Sequence, residues 1–236
     1  ESEKALLNMK FVLNLAFFSL KLLGCESYQM KRTRTSKSWM SEHISDPFVK
    51  EAQKDGYRSR AAYKLIEINE KYNLLGQNTT VVDLGSAPGS WSQVAVKKIG
   101  VNGKVIALDL LEMQPIKKVE FIKGDFRDNE VLFEVENKLN NLEVDLVISD
   151  MAPNISGIKV VDQSAIIYLN ELALDFSCNW LKPNGHLLVK SFIGADFDSF
   201  FDSVKPFFKK VIRIKPSSSR DRSSEIFVLG YEKVKM

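Results

Sequence analysis

The sequence is short of the residues that build covalent and metallic frameworks. Its 236 residues include two cysteines, Cys25 and Cys178, and two histidines, His43 and His186, far apart. A disulfide scaffold is excluded, and no cluster has the spacing of metal ligands, so a reducing compartment, the cytoplasm, and no metal centre are expected. Membrane-length apolar segments are missing too: the run Phe11 to Leu23 is interrupted by Lys21 and is too short to cross a bilayer. It ends in Leu22-Leu23-Gly24-Cys25, which superficially resembles a lipoprotein-type signal. A transit peptide is disfavoured, because residues 1–29 hold Glu1, Glu3 and Glu26 and no arginine. Met30, followed by KRTRTSKSW, reads as a natural start, so 1–29 are taken as an upstream extension without a chemical role. Repeats and low-complexity segments are absent.

What is present suffices for one domain with a sizeable core, at 44% hydrophobic and 27% charged residues. The formal charge is only +3, but residues 31–64 carry a local +5 and residues 205–222 a local +6, leaving −8 on the rest. If the two basic segments meet, they form one positive face on an acidic body, the footprint of a polyanion binder.

The stretch TTVVDLGSAPGSWSQ, 79–93, organises the chain. β-Branched Val81 and Val82 lead into Asp83, then a turn with Gly85, Pro88 and Gly89, then helical spacing from Trp91: strand, tight turn, helix start. Glycines at such a turn let a ligand approach the backbone. A phosphate loop requires a lysine after its last glycine, but Ser90 and Trp91 follow Gly89. A dinucleotide fingerprint requires G-x-G-x-x-G, and this turn has only Gly85 and Gly89. The remaining form, D-x-G-x-x-P-G, presents a carboxylate and suits a cationic cofactor, S-adenosylmethionine.

Downstream, the pattern predicts a helix over Trp91–Ile99, strands at Lys104–Leu110 and Val119–Phe126, a helix near Glu130–Leu139 and a strand at Val144–Asp150. A long helix follows from about Asp162 to Trp180, then a strand at His186–Phe192, a helix at Asp196–Phe208, and strands at Val211–Lys215 and Glu225–Tyr231. Upstream, Ser41 to Tyr72 reads as two helices broken at Gly56. Alternating strands and helices imply a doubly wound α/β sheet, and the short link Pro216–Ser224 forces the last strand antiparallel. This is the seven-stranded architecture of class I S-adenosylmethionine-dependent methyltransferases, over residues 76–236, preceded by a basic arm and helices over 30–75. Ligands in such sheets sit beyond the carboxyl ends of the strands, where Asp109, Asp125, Asp150 and Lys190 fall. Asp109 suits the ribose hydroxyls of the cofactor and Asp125 its adenine amino group. Trp91 and Phe126 offer flat surface nearby or belong to the core.

The segments SRAAYKL (59–65), VVDLGSAPGSWSQ (81–93), ALDLLEM (107–113), GDFRD (124–128), SDMAPNISG (149–157), VKSF (189–192) and PSSSRDRSSE (216–225) together resemble the RrmJ/FtsJ family of ribose 2′-O-methyltransferases, nearest to its bacterial large-subunit rRNA group. The resemblance implies a catalytic tetrad of Lys64, Asp150, Lys190 and Glu225, and cofactor contacts at Gly89, Trp91, Asp109, Asp125 and Asp150. It further implies methylation of a uridine ribose in 23S rRNA of the assembled 50S subunit, by a monomer without metal or membrane attachment. Ser90 departs from the family, which often has a second glycine there. A ribose hydroxyl is a poor nucleophile, so a base must take its proton. Lys190 is assigned as that base, Lys64 as the partner positioning the hydroxyl, Asp150 as the anchor of Lys190 and Glu225 as an orienting carboxylate. The basic segments, with Ser217, Ser218, Ser219 and Arg220, are expected to contact phosphates. Transfer RNA, messenger RNA caps and a non-catalytic ribosome-assembly role remain alternatives; an NAD-dependent dehydrogenase is disfavoured by the glycine spacing.

Overall fold

The computed structural model describes residues 45–220 and 222–235; the extension 1–29 and the basic residues Lys31, Arg32, Arg34 and Lys37 lie outside them. Two helices come first, α1 (Pro47–Asp55) and α2 (Ala61–Tyr72). The order then runs β1 (Thr80–Leu84), α3 (Ser90–Lys98), β2 (Lys104–Asp109), β3 (Val119–Lys123), α4 (Asn129–Leu139), β4 (Val144–Ser149) and α5 (Lys159–Trp180). It closes with β5 (Leu181–Phe192), α6 (Phe197–Val204), a 3₁₀ turn (Lys205–Phe207), β6 (Phe208–Ile214) and β7 (Glu225–Lys233). The sheet order is β3-β2-β1-β4-β5-β7-β6, and β7 runs antiparallel to both of its neighbours. The chain order reverses between β1 and β4, which places the ligand crevice at their carboxyl ends.

Several boundaries differ from the periodicity. β5 begins at Leu181, which pairs with Val144 ahead of an irregular stretch; Pro183, Asn184 and Gly185 disguise it as a loop. α6 stops at Val204, two residues before Pro206, and the freed chain enters β6 three residues early. β3 ends at Lys123, so Asp125 stands two residues beyond its strand; Asp150 follows β4, and Lys190 lies inside β5.

Period-two alternation decides what faces what. On β1, Val82 and Leu84 join the core under α4, α5 and α6, while Val81 joins the core under α2 and α3. On β5, Leu187 and Val189 take the first side and Leu188 the second. On β7, Ile226 and Val228 take the first, Phe227 and Leu229 the second. By the same alternation Asp83, Lys190 and Glu225 share the α2/α3 side. The register pairs Lys190 with Phe227 and Phe192 with Glu225, so Lys190 and Glu225 are diagonal neighbours on one face.

Candidate active site

The turn after β1 is shaped by two glycines that no other residue can replace without rearrangement. Gly85 has φ +73°, and a Cβ there would lie 2.9 Å from Met151 Cα. Gly89, the N-cap of α3 at φ +107°, would drive a Cβ to 2.7 Å from Met113 Sδ and 2.8 Å from an Arg58 guanidinium nitrogen. Arg58 braces this turn from outside: its guanidinium donates to the carbonyls of Pro88 (2.7 Å), Gln114 (2.7 Å) and Pro115 (3.0 Å). In the sequence Arg58 is merely one more charge of the basic arm.

Asp109 closes the turn from the next strand, accepting from Ala87 N (2.8 Å) and Leu111 N (2.7 Å). A carboxylate has about four acceptor sites, so two remain for hydroxyl donors. Asp125 is paired to Arg127, whose side-chain hydrogen bonds hold its carboxyl below the ordinary carboxylate value. Asp109, Asp125 and Asp150 line one cavity of about 530 Å³ with Gly85, Phe126 and Tyr168. Gly89 and Trp91 do not line it. The indole of Trp91 is no platform beside Asp125: it is 2% exposed, donates from Nε1 to Ala61 O at 2.9 Å and packs against Phe227.

Asp83 lies at the base of the turn with no exposure at all. Its Oδ2 accepts from Ser92 Oγ at 2.6 Å, while Oδ1 has no partner. Burial pushes its carboxyl up to about 7, against the Ser92 hydrogen bond and with help from the charges of Asp150 and Asp109. An orphaned buried acceptor beside glycines that open the backbone fits a cationic ligand.

The four tetrad residues come together as two ion pairs. Lys190, 8% exposed, donates from Nζ to Asp150 O at 2.6 Å and lies 2.8 Å from Asp150 Oδ1. Lys64 Nζ lies 2.7 Å from each oxygen of Glu225, above the ring of Phe227. Burial raises the Glu225 carboxyl; the Lys64 charge and hydrogen bond, the Ser219 hydroxyl at 2.9 Å and the Lys190 charge outweigh it, leaving the group below its ordinary value.

The serine loop before Glu225 departs from expectation. Its donors are already committed: Glu67, on α2, accepts from Ser217 N (2.8 Å), Ser217 Oγ (3.0 Å), Ser218 N (3.2 Å) and Ser218 Oγ (3.3 Å). Ser219 serves Glu225, and Arg220 contacts Asp46 at 3.3 Å. These groups hold the protein together rather than stand open to phosphate. The described part of the first basic segment meets the second here, since Arg60 donates to both Asp46 and Ser218 O. On the edge strand, Lys209 pairs with Glu232 and Arg213 with Asp198, so the positive face is partly neutralised from within.

A doubly wound sheet with one reversed inner strand, and carboxylates beyond successive strands around a single cavity, defines the class I methyltransferase fold. Within that class, the model of the FtsJ-like methyltransferase family matches residues 57–233, and the chain belongs to this family. The family implies a methyl donor. Among its relatives, ribosomal RNA large subunit methyltransferase E of Methylobacillus flagellatus is 59% identical over 204 residues, 86% of this chain and 99% of that protein. The protein of the same name from Dechloromonas aromatica is 56% identical over 201 residues, 85% and 98% of the respective chains. The crystal structure of a Plasmodium falciparum protein described as a ribosomal RNA methyltransferase superposes with a TM-score of 0.69 at 30% identity, covering 76% of this chain and all of that one.

Proposed function

We propose that the protein transfers a methyl group from S-adenosylmethionine to the 2′-hydroxyl of a uridine ribose in large-subunit ribosomal RNA, acting as a cytoplasmic monomer on the assembled 50S subunit. The observation that carries the chemistry is the pair of buried lysine–carboxylate contacts beside the acid-lined cavity. The names of the relatives favour large-subunit rRNA over transfer RNA or caps. Asp109 would hold the cofactor ribose, Asp125 its adenine amino group, and Asp83 with the backbone of Gly89 and Trp91 its aminoacyl end. S-adenosylmethionine, when bound, supplies a methyl carbon made electrophilic by its sulfonium.

The chain supplies the rest. A neutral lysine amine has two N–H groups and one lone pair. At Lys190, Nζ donates to Asp150 O at 2.6 Å and lies 2.8 Å from Asp150 Oδ1, which anchors the nitrogen, and as the base it presents its lone pair to the substrate. That lone pair would take the 2′-hydroxyl proton, making the oxygen the nucleophile toward the methyl group that the bound donor would supply. Lys64, fixed by Glu225, orients the hydroxyl. Methyl transfer from radiolabelled S-adenosylmethionine to large subunits lacking the modification tests this reading. Lys190→Ala should lower transfer by about 10²–10⁴-fold with cofactor binding retained. Label on a base, or an active Lys190→Ala protein, would refute it.

A further inference from the structure

Glu67 plays no part in the chemistry above, yet its carboxylate accepts four hydrogen bonds. It sits three residues after Lys64, so both side chains leave the same face of α2. Lys64 reaches Glu225. Glu67 reaches across 150 residues of sequence to the loop before Glu225, accepting the two backbone N–H groups and two hydroxyls of Ser217 and Ser218. The next residue, Ser219, donates to Glu225 Oε1. One helix therefore approaches Glu225 by two routes, directly through the Lys64 ammonium and indirectly through the loop that Glu67 grips.

We propose that Glu67 is a positioning residue for methyl transfer, clamping the 217–219 loop so that Ser219 fixes the rotation of the Glu225 carboxylate that orients Lys64. The assignment rests on the tetrad reading. Its geometry is particular. Four donors converge on one carboxylate, Ser218 and Ser219 are 2% and 6% exposed, and the loop cannot shift without uncovering them. Burial alone raises the Glu67 carboxyl, and the serine hydrogen bonds outweigh it, leaving the group below its ordinary value. A second clamp at the loop, Arg60 on Ser218 O, comes from just before α2. The cavity lined by Asp109 and Asp125 is not touched by Glu67, which separates its effect from cofactor binding.

The test compares wild type with Glu67→Ala, Glu67→Gln, Ser219→Ala and Glu67→Ala/Ser219→Ala, by steady-state transfer to large subunits and by binding of S-adenosylhomocysteine. Glu67→Ala and Ser219→Ala should each lower kcat roughly tenfold, with cofactor affinity within about twofold of wild type. The double variant should match the worse single one, because both remove the same constraint. Glu67→Gln keeps the shape and one acceptor oxygen and should recover part of the kcat. Multiplying effects, or a Ser219→Ala protein with wild-type kcat, would overturn the proposal. So would a Glu67→Ala protein that loses fold or cofactor affinity together with activity. Lys190→Ala, run in parallel, separates the two failures: if it remains active the tetrad reading falls, and if it alone is inactive only the role of Glu67 falls.

Discussion

Replacing Asp83 by asparagine should change how the stability of the protein depends on pH. In the unfolded chain this carboxyl ionises near 3.8, and in the fold burial holds the proton until about 7. Between those values the native state binds more protons than the unfolded state, so this group makes stability fall as pH rises, and its contribution is level above about 7. At about 1.4 kcal/mol for each tenfold in proton affinity, the full cost of the buried charge is about 4 kcal/mol. The amide introduced by Asp83→Asn is uncharged at every pH and can still accept from Ser92. Urea unfolding of wild type and Asp83→Asn from pH 4.5 to 8 should therefore show the stability difference moving in favour of the variant by about 3 kcal/mol across the range. Parallel curves would refute the reasoning. They would mean that water or a donor reaches Oδ1, the atom without a partner. A cation bound at that oxygen favours the ionised form, so affinity for S-adenosylhomocysteine should rise with pH toward neutrality in wild type and stay level in the variant.

Gly85→Ala should lose at least about 1 kcal/mol in chemical denaturation, since its positive φ and the approach of Met151 both reject a methyl group. Trp91→Phe should lose about 1 kcal/mol with the bond to Ala61 O, while S-adenosylhomocysteine affinity by calorimetry stays unchanged. A selective loss of affinity would contradict the core placement of the ring. Lys64→Ala strips the nearly buried Glu225 carboxylate of its partner and should cost about 3 kcal/mol at pH 7. Glu225 lies below its ordinary value of 4.5, so the stability it gains from the pair is complete above that pH and is lost as pH falls through the lower folded value. The Lys64→Ala deficit in denaturant melts should shrink accordingly below pH 4.

The sheet was legible because its strands carry dense β-branched and aliphatic runs and its turn is spelled by Asp83, Gly85 and Gly89. Asp109 at the end of β2 and Asp150 just past β4 were legible with it as site candidates. Arg58 and Glu67 were not, because their partners lie 30 to 151 residues away and an exposed-looking Arg or Glu has no local signature. Trp91 illustrates the converse: an aromatic next to a glycine turn shares the turn by its backbone while its side chain answers to the core. The start of β5 was hidden because Pro183, Asn184 and Gly185 satisfy every local rule for a loop, and only the pairing of Leu181 with Val144 overrides them.

The placement of β7 between β5 and β6 has a bearing on synthesis. Glu225 opens a strand that is added after all its neighbours have been made, yet it slots into the interior of the sheet. A nascent chain that has reached only β6 has the lysines and the glycine turn but lacks the carboxylate that pairs with Lys64, and leaves the edge of β5 bare beside Lys190. Because side chains alternate faces, a one-residue slip of β7 would turn Glu225 to the opposite side of the sheet. On the proposed tetrad, the site is complete only in molecules whose final strand has arrived and arrived in register.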